Sequence, residues 1–423
     1  MNSHINHQKI LTKTEESLIE IAAALPQSEA RASAMLAFQK NGFPTRRVEA
    51  FHYTDLRSLL KDRFSAAKYL EEDPRDLVHE FLNRKLINDS TLLTFYDAHY
   101  FDRDQVFPKG VAVIPMIPIL KQVENKDDTL AIINTMLADD GLLIRISDCI
   151  SIDNPIDLSY IHSGQKNTLS ANRVSINVGA QASCHFLERS FGYDDISYFS
   201  SHVTDLTIGD NAIVNYTILN EDGDHARRLA QLNVTLGKNT TLNLFILNVS
   251  SAMSRQELNL DLRQEGAALK IRGVNLVGGN SHCDVTSRIN HHVPCTRASE
   301  IFHNIVTDQG EGVFQGQINV EKIAQMTDAR MKCNTLLLSN NCDFSAKPEL
   351  KIFADNVQCS HGATVTDIEN SHIFYLMARG IPETISRCML IRAFVDRIID
   401  EIESECLREG LRYRIDDWIE RYV

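Results

Sequence analysis

The chain has 423 residues, of which 43% are hydrophobic and 23% charged, with a formal net charge of −13. That composition suits a soluble globular protein, and the acidity argues against nucleic acid or an anionic membrane as the main partner, because both need clustered Lys and Arg. No run of about 18 apolar residues occurs, which excludes a membrane-spanning helix.

The start, MNSHINHQKILTKTEESL, lacks the apolar stretch of a signal peptide. Nine scattered cysteines without a CxxC pair read as reduced thiols of a cytoplasmic protein. Residues 13–40 predict two helices. Leu18, Ile21, Ala22 and Leu25 share a face before Pro26, and Ala30 to Phe38 carry the second segment. Gly42 and Pro44 stop it. Residues 71–86, EEDPRDLVHEFLNRKL, predict another short helix, opened by Pro74 with acids in its first turn. The apolar run VAVIPMIPIL (111–120) is broken by Pro115 and Pro118. A mainly helical region is expected over 1–110.

From about residue 140 the pattern changes. LLIRISDCISI, RVSINV, ELNLDLR and ELKIF alternate apolar and polar residues, the period of half-buried strands. No proline interrupts 156–293, and VGAQASCHF, IGDNAIVNY, LGKNTTLNL and EGAALKI place Gly179, Gly209, Gly237 and Gly266 at intervals of 30, 28 and 29 residues. A turn glycine followed by an alternating strand at a near-constant interval predicts a β-solenoid. A large sandwich with evenly spaced turns is the alternative. The β core is expected over 111–375.

Helix returns over 376–423. Pro382 and Glu383 form a start signal. Leu390, Phe394, Ile398 and Ile402 follow at four-residue steps, with Ile391, Val395 and Ile399 widening the stripe. Gly410 separates a second helix bearing the only tryptophan, Trp418. Such a stripe caps the solenoid's open end or packs on the core, or else it docks another protein.

The chain contains no GxxxxGK[ST], GxSxG, HExxH or GxGxxG, which removes the commonest self-sufficient enzymes of this size. His282, Cys283, His291, His292, Cys295 and His303 crowd one stretch, but without the two tight pairs of a zinc site. Partly buried polar residues on strands are expected there, as for Cys184 and His185. Asp205 with Asp210, and Asp222 with Asp224, suit a polysaccharide-cleaving groove, although beside glycines they read more simply as turn formers. Cys333 in MKCNTLLLS is expected at a strand edge. Cys359 and His361 stand two apart in KPELKIFADNVQCSHGATV, so on a strand both face one side, where a protonated imidazole would lower the thiol's pKa. The other reading of Cys359 is a small buried hydrophobe. Gly362 suggests a bend or a close backbone approach.

AQMTDARMKCNTLLLS, KPELKIFADNVQCSHGATV and IFYLMARGIPETISRCMLIRAFVDRII resemble the SufB/SufD family of iron–sulfur cluster assembly proteins. The amino-terminal GFPTRRVEAFHYTDL resembles the matching element of its SufD branch, with Phe51-His52 where a tryptophan is common. These blocks lie at both ends, so the resemblance spans nearly the whole chain. It implies a right-handed parallel β-helix core between helical terminal regions, and a non-catalytic scaffold subunit that pairs with SufB through the β-helices. The C-terminal helices would hold the ATPase SufC through Leu390, Phe394, Ile398 and Ile402, which accounts for the missing phosphate loop. His361, with Cys359 beside it, would ligate a cluster or metal shared with SufB. The resemblance further implies no cofactor on the chain alone and an iron–sulfur cluster at the SufB interface; it leaves open a flavin in the complex and a homodimer of the isolated chain. His361-Gly362-Ala363-Thr364 matches the SufD form, where SufB-like chains carry His-Glu-Ala. Cys333 stands where SufB has a cluster-associated cysteine, and no role is carried over to it. The SufB branch and a carbohydrate-active β-helix enzyme remain the alternatives.

Overall fold

The computed structural model describes residues 10–423 except 69–85, 88, 102–105, 117–122, 124, 126 and 163–164. The helix expected over 71–86 falls, Leu86 apart, outside the described residues. The two expected amino-terminal helices run Lys13–Ala24 and Glu29–Asn41. A capping box opens the first: the Thr12 amide donates to Glu15 Oε2 at 2.6 Å and the Glu15 amide to Thr12 Oγ1 at 3.2 Å. The same carboxylate accepts the Phe43 amide at 2.6 Å and meets Arg57 at 3.0 Å, tying the first helix to the turn beyond the second. Burial by itself would raise the pKa of Glu15, but the two amides and the Arg57 guanidinium hold it below the usual carboxylate range. Together with the helix Thr129–Leu137, these helices lay Leu18, Phe38 and Ile133 over Leu169, Phe199 and Leu229 of the neighbouring sheet.

From Ile156 to Asp367 successive strands alternate between two 10-stranded sheets, and each pairs in parallel with the strand two places on. This pairing rules out an antiparallel sandwich. The core is a parallel β-solenoid of two strands per coil. Because side chains alternate, every second residue enters the lumen. Ile176, Leu206, Val234, Leu260, Ile289, Ile318 and Leu350 form one unbroken inner row. The facing sheet contributes Phe186, Tyr216, Leu244, Ile271, Glu300, Met331 and His361 in register. A second inner row is an asparagine ladder. Asn220 donates to Asn248 at 2.5 Å, Asn248 to Asn275 at 2.6 Å, and Asn275 to Asn304 at 2.7 Å, so each buried amide finds a partner in the next coil.

Three of the four echoing glycines share one corner. The Gly209 amide donates to Val178 O and the Gly237 amide to Ile208 O, and a Cβ at Gly209 would lie 2.7 Å from the Ala180 nitrogen. Gly266 departs from the pattern. With φ +76° it occupies the left-handed position two residues later, stacked over Asn239, in a column that includes Gln181, Asn211, Asn239 and Cys295.

The carboxyl-terminal helices Asn370–Ala378, Glu383–Ile399 and Glu405–Tyr422 do not close the solenoid's end. Ile391, Val395, Ile398, Leu411 and Trp418 pack on Leu219, Leu247, Leu276 and Ile305, the outer face of the second sheet. The boundaries expected at 110 and 375 shift accordingly. Thr91–Tyr96 already pairs with Ile156–Ile161, the helix Thr129–Leu137 lies inside the expected β region, and helix resumes at Asn370. No helix among the described residues is long and apolar enough to cross a membrane.

Candidate functional site

The solenoid ends in an open mouth. Its last two strands, Asp343–Ile352 and Gln358–Asp367, stand at the same end of the two sheets, and among the described residues each pairs on one side only. Their outer edges carry unpaired backbone groups, a surface that natural sheets normally cover. Gln358–Asp367 is exposed along nearly its whole length, unlike every other strand of its sheet from Ile156 onward.

His361 and Cys359 sit on the inner face of that final strand. Register puts Cys359 over Ala329, His361 over Met331 and Ala363 over Cys333, three residues that point into the closed lumen. The imidazole is solvent-exposed, whereas the thiol is half-buried against the core. Burial raises the Cys359 pKa and Asp328 adds to the rise, against an opposing hydrogen bond with Ala329. The expected activation of this thiol by its neighbour is therefore not what the environment produces. Gly362 makes no bend and no close approach: pairing continues through it, and nothing lies within 4 Å of a Cβ placed there.

A thiolate is a soft donor that suits an iron–sulfur cluster and an imidazole also suits iron, but two donors do not complete a tetrahedral set. Among the described residues no three His, Cys, Asp or Glu side chains converge as a metal site. What this end of the chain offers is two donors on an unfinished, open coil.

The remaining candidates resolve as structure. Cys333 lies within the strand Asp328–Leu337, not at its edge, fully buried, and burial pushes its pKa up to about 12. In the 281–303 stretch each histidine has separate partners. His282 meets Thr54 at 3.0 Å and Glu311 at 3.2 Å, His291 meets Thr296 at 2.7 Å, and His292 meets Glu321 at 2.6 Å. His303 donates to the Phe394 carbonyl at 2.7 Å. Asp205 pairs with Arg173 at 2.8 Å, Asp210 caps the Lys238 amide at 2.8 Å, Asp222 accepts from Ser190 and Tyr198, and Asp224 pairs with Arg421. They do not form facing carboxylate pairs across a groove.

The helical stripe is largely turned inward. Ile398 is 2% exposed, Ile402 packs against the same cluster, and the Phe394 ring stacks on His303 at 4.2 Å. Only Leu390 stands outside that cluster, partly exposed. Ile398 cannot meet another protein without leaving its own sheet. The exposed apolar surface is elsewhere, at Phe374, Tyr375 and Met377 on the helix Asn370–Ala378 and at Ile385 and Met389 on the next. The unrelieved apolar run IFYLMA was the signal for it in the sequence.

Comparison with known proteins agrees with this geometry. The family model "SUF system FeS cluster assembly, SufBD core domain" matches residues 160–394, and "SufBD protein N-terminal region" matches 1–158. The chain is 26% identical to the iron–sulfur cluster assembly protein SufD of Escherichia coli, over 92% of each chain. It is 23% identical to the chloroplastic protein ABCI7 of Arabidopsis thaliana over 93% of this chain and 86% of that one. Identity to the iron–sulfur cluster assembly protein SufB of Bacillus subtilis is also 23%, over 67% of this chain and 61% of that one. A solenoid with an unfinished coil, a histidine at its mouth and family models that between them span most of its length place this chain in the SufB/SufD family of the SUF iron–sulfur cluster assembly system.

Proposed function

We propose that the chain is the SufD-type, non-catalytic scaffold subunit of a cytoplasmic assembly complex, bound to SufB and to the ATPase SufC. The observation that carries this reading is the open last coil: two free strand edges flank an inner face bearing His361 and Cys359. A second β-solenoid with the same kind of open end would satisfy those edges and add the missing ligands from its own chain. The cluster is the cargo built there, with His361 as this subunit's ligand. A homodimer of the isolated chain would use the same edges.

Assignment to the SufD branch draws on the end-to-end match to E. coli SufD, against partial coverage of B. subtilis SufB, and on His361-Gly362-Ala363. SufC is assigned to the exposed patch of Phe374, Tyr375, Met377, Ile385 and Met389 in place of the buried Ile398. The deciding experiment is co-purification with tagged SufB and SufC. A chain that associates with neither would end this reading, and a cluster reconstituted on the isolated chain would favour the SufB-type alternative.

A further inference from the structure

We propose that the cleft between the outer face of the second sheet and the turn joining the last two helices binds a small organic anion, its charged group seated on Lys270 and Arg272. The cleft encloses about 130 Å³, close to the roughly 150 Å³ that holds a benzene-sized guest. Pairing register sets His185, Asn215, Asn243 and Lys270 side by side on successive strands. At about 4.8 Å per strand this floor runs roughly 14 Å. The Asn243 side chain donates to Asn215 Oδ1 at 2.9 Å, and His185 Nε2 lies 3.2 Å from Thr217 Oγ1. Burial drives His185 down to about 4, so it is neutral near pH 7. The floor is thus uncharged and hydrogen-bonding along most of its length and cationic at one end.

That cationic end already holds a carboxylate. Glu401, in the turn, lies 2.8 Å from Lys270 Nζ and 2.9 Å from Arg272 Nε. Arg272 is fixed independently of it, because Nη1 donates to the Ile271 and Ser299 carbonyls at 2.8 and 3.1 Å. The Arg272 guanidinium therefore stays aimed whether or not Glu401 occupies it, with the Lys270 ammonium beside it as a mobile second charge. Glu401 shows what the pair accepts, an oxyanion, and a ligand carrying one would displace it while its uncharged polar body lies along Asn243 and Asn215. The net charge of −13 gives the chain no general attraction for anions, so binding would report this locus.

The test is calorimetric titration of the full chain, freed of phosphate and held at fixed ionic strength. Inorganic pyrophosphate is used in one arm and succinate in the other, which separates a phosphate source from a carboxylate source. Saturable binding of at least one probe at a single site is expected. Lys270→Ala combined with Arg272→Ala should weaken it by about tenfold or more. Glu401→Gln should tighten it several-fold, because the internal competitor loses its charge. Absence of binding by both probes, unchanged affinity in a folded double variant, or no tightening in Glu401→Gln would each overturn the proposal. The last of these holds even if the double variant does not fold.

Discussion

Met331 and His361 are direct partners in the pairing of the last two strands of one sheet, yet the thioether is 1% exposed and the imidazole lies open to solvent. One pairing step separates the closed lumen from the mouth. This makes the roles of the two side chains separable by mutation.

His361→Ala removes a side chain that buries little, so its effect on unfolding should stay within about 0.5 kcal/mol. Met331→Ala leaves a cavity in the lumen and should cost about 2–5 kcal/mol. Denaturant unfolding checks both. In cells depending on this complex, His361→Ala should depress iron–sulfur enzyme activities while the variant still co-purifies with SufB and SufC. Wild-type activities would remove His361 from the ligand role.

Thiol accessibility gives a second test. Burial pushes Cys184, Cys283 and Cys333 each up to about 12, and all three are buried, so neither thiolate nor access is available in the folded chain. Timed alkylation read by mass spectrometry should label exposed Cys149 and Cys295 first, Cys359 more slowly, and the buried three only on unfolding. Rapid labelling of Cys359 ahead of Cys149 would mean that its environment activates it after all.

Much of the solenoid was legible because its physics is local. Alternation in RVSINV and ELNLDLR marks strands, and the Gly179, Gly209 and Gly237 spacing marks a corner where the preceding coil passes too close for a side chain. Gly266 misled because its glycine serves a left-handed turn position instead, and spacing alone does not distinguish the two. Cys333 was misplaced for a different reason: its burial is decided by the coils stacked around it, not by its neighbours in sequence. The same holds for the helical stripe. Periodicity reveals an apolar face over Leu390 to Ile402 but not what covers that face, and here most of it rests on the chain's own sheet. The open mouth is the least local feature. QCSHGATV reads like any half-buried strand, and only the stacking order shows that among the described residues no further coil stacks on it.

The inward stripe and the exposed patch should separate in experiments. Ile398→Asp puts a charge against Leu276 and Ile305 and should destabilise by about 3 kcal/mol or more, with any loss of SufC binding secondary to unfolding. Phe374→Asp with Tyr375→Asp alters side chains that are 73% and 57% exposed. The double variant should keep the wild-type melting temperature and lose SufC in pull-down. Retained SufC binding would move the docking surface elsewhere.

Glu300 sets an alkaline limit on stability. Its carboxyl is buried in the lumen directly beneath Met331, with a Ser287 hydroxyl donating at 3.0 Å. Burial raises its pKa to about 7, and that hydrogen bond only partly offsets the rise. A folded-state pKa above the unfolded one means that the folded chain holds the proton more tightly. Its contribution is fully present below about pH 4.5 and is lost as pH rises through 7. The buried histidines act in the opposite direction. Burial lowers His185 and His291 to about 4, so the stability they allow is present above their ordinary pKa near 6.5 and falls away as pH drops toward 4. Glu300→Gln keeps the shape and removes only the alkaline loss. It should raise stability at pH 8 by on the order of 3 kcal/mol relative to the parent chain, and the gain should shrink to under about 1 kcal/mol at pH 5. Paired melting curves at the two pH values measure this directly, and an equal shift at both would show that Glu300 does not titrate in the folded lumen.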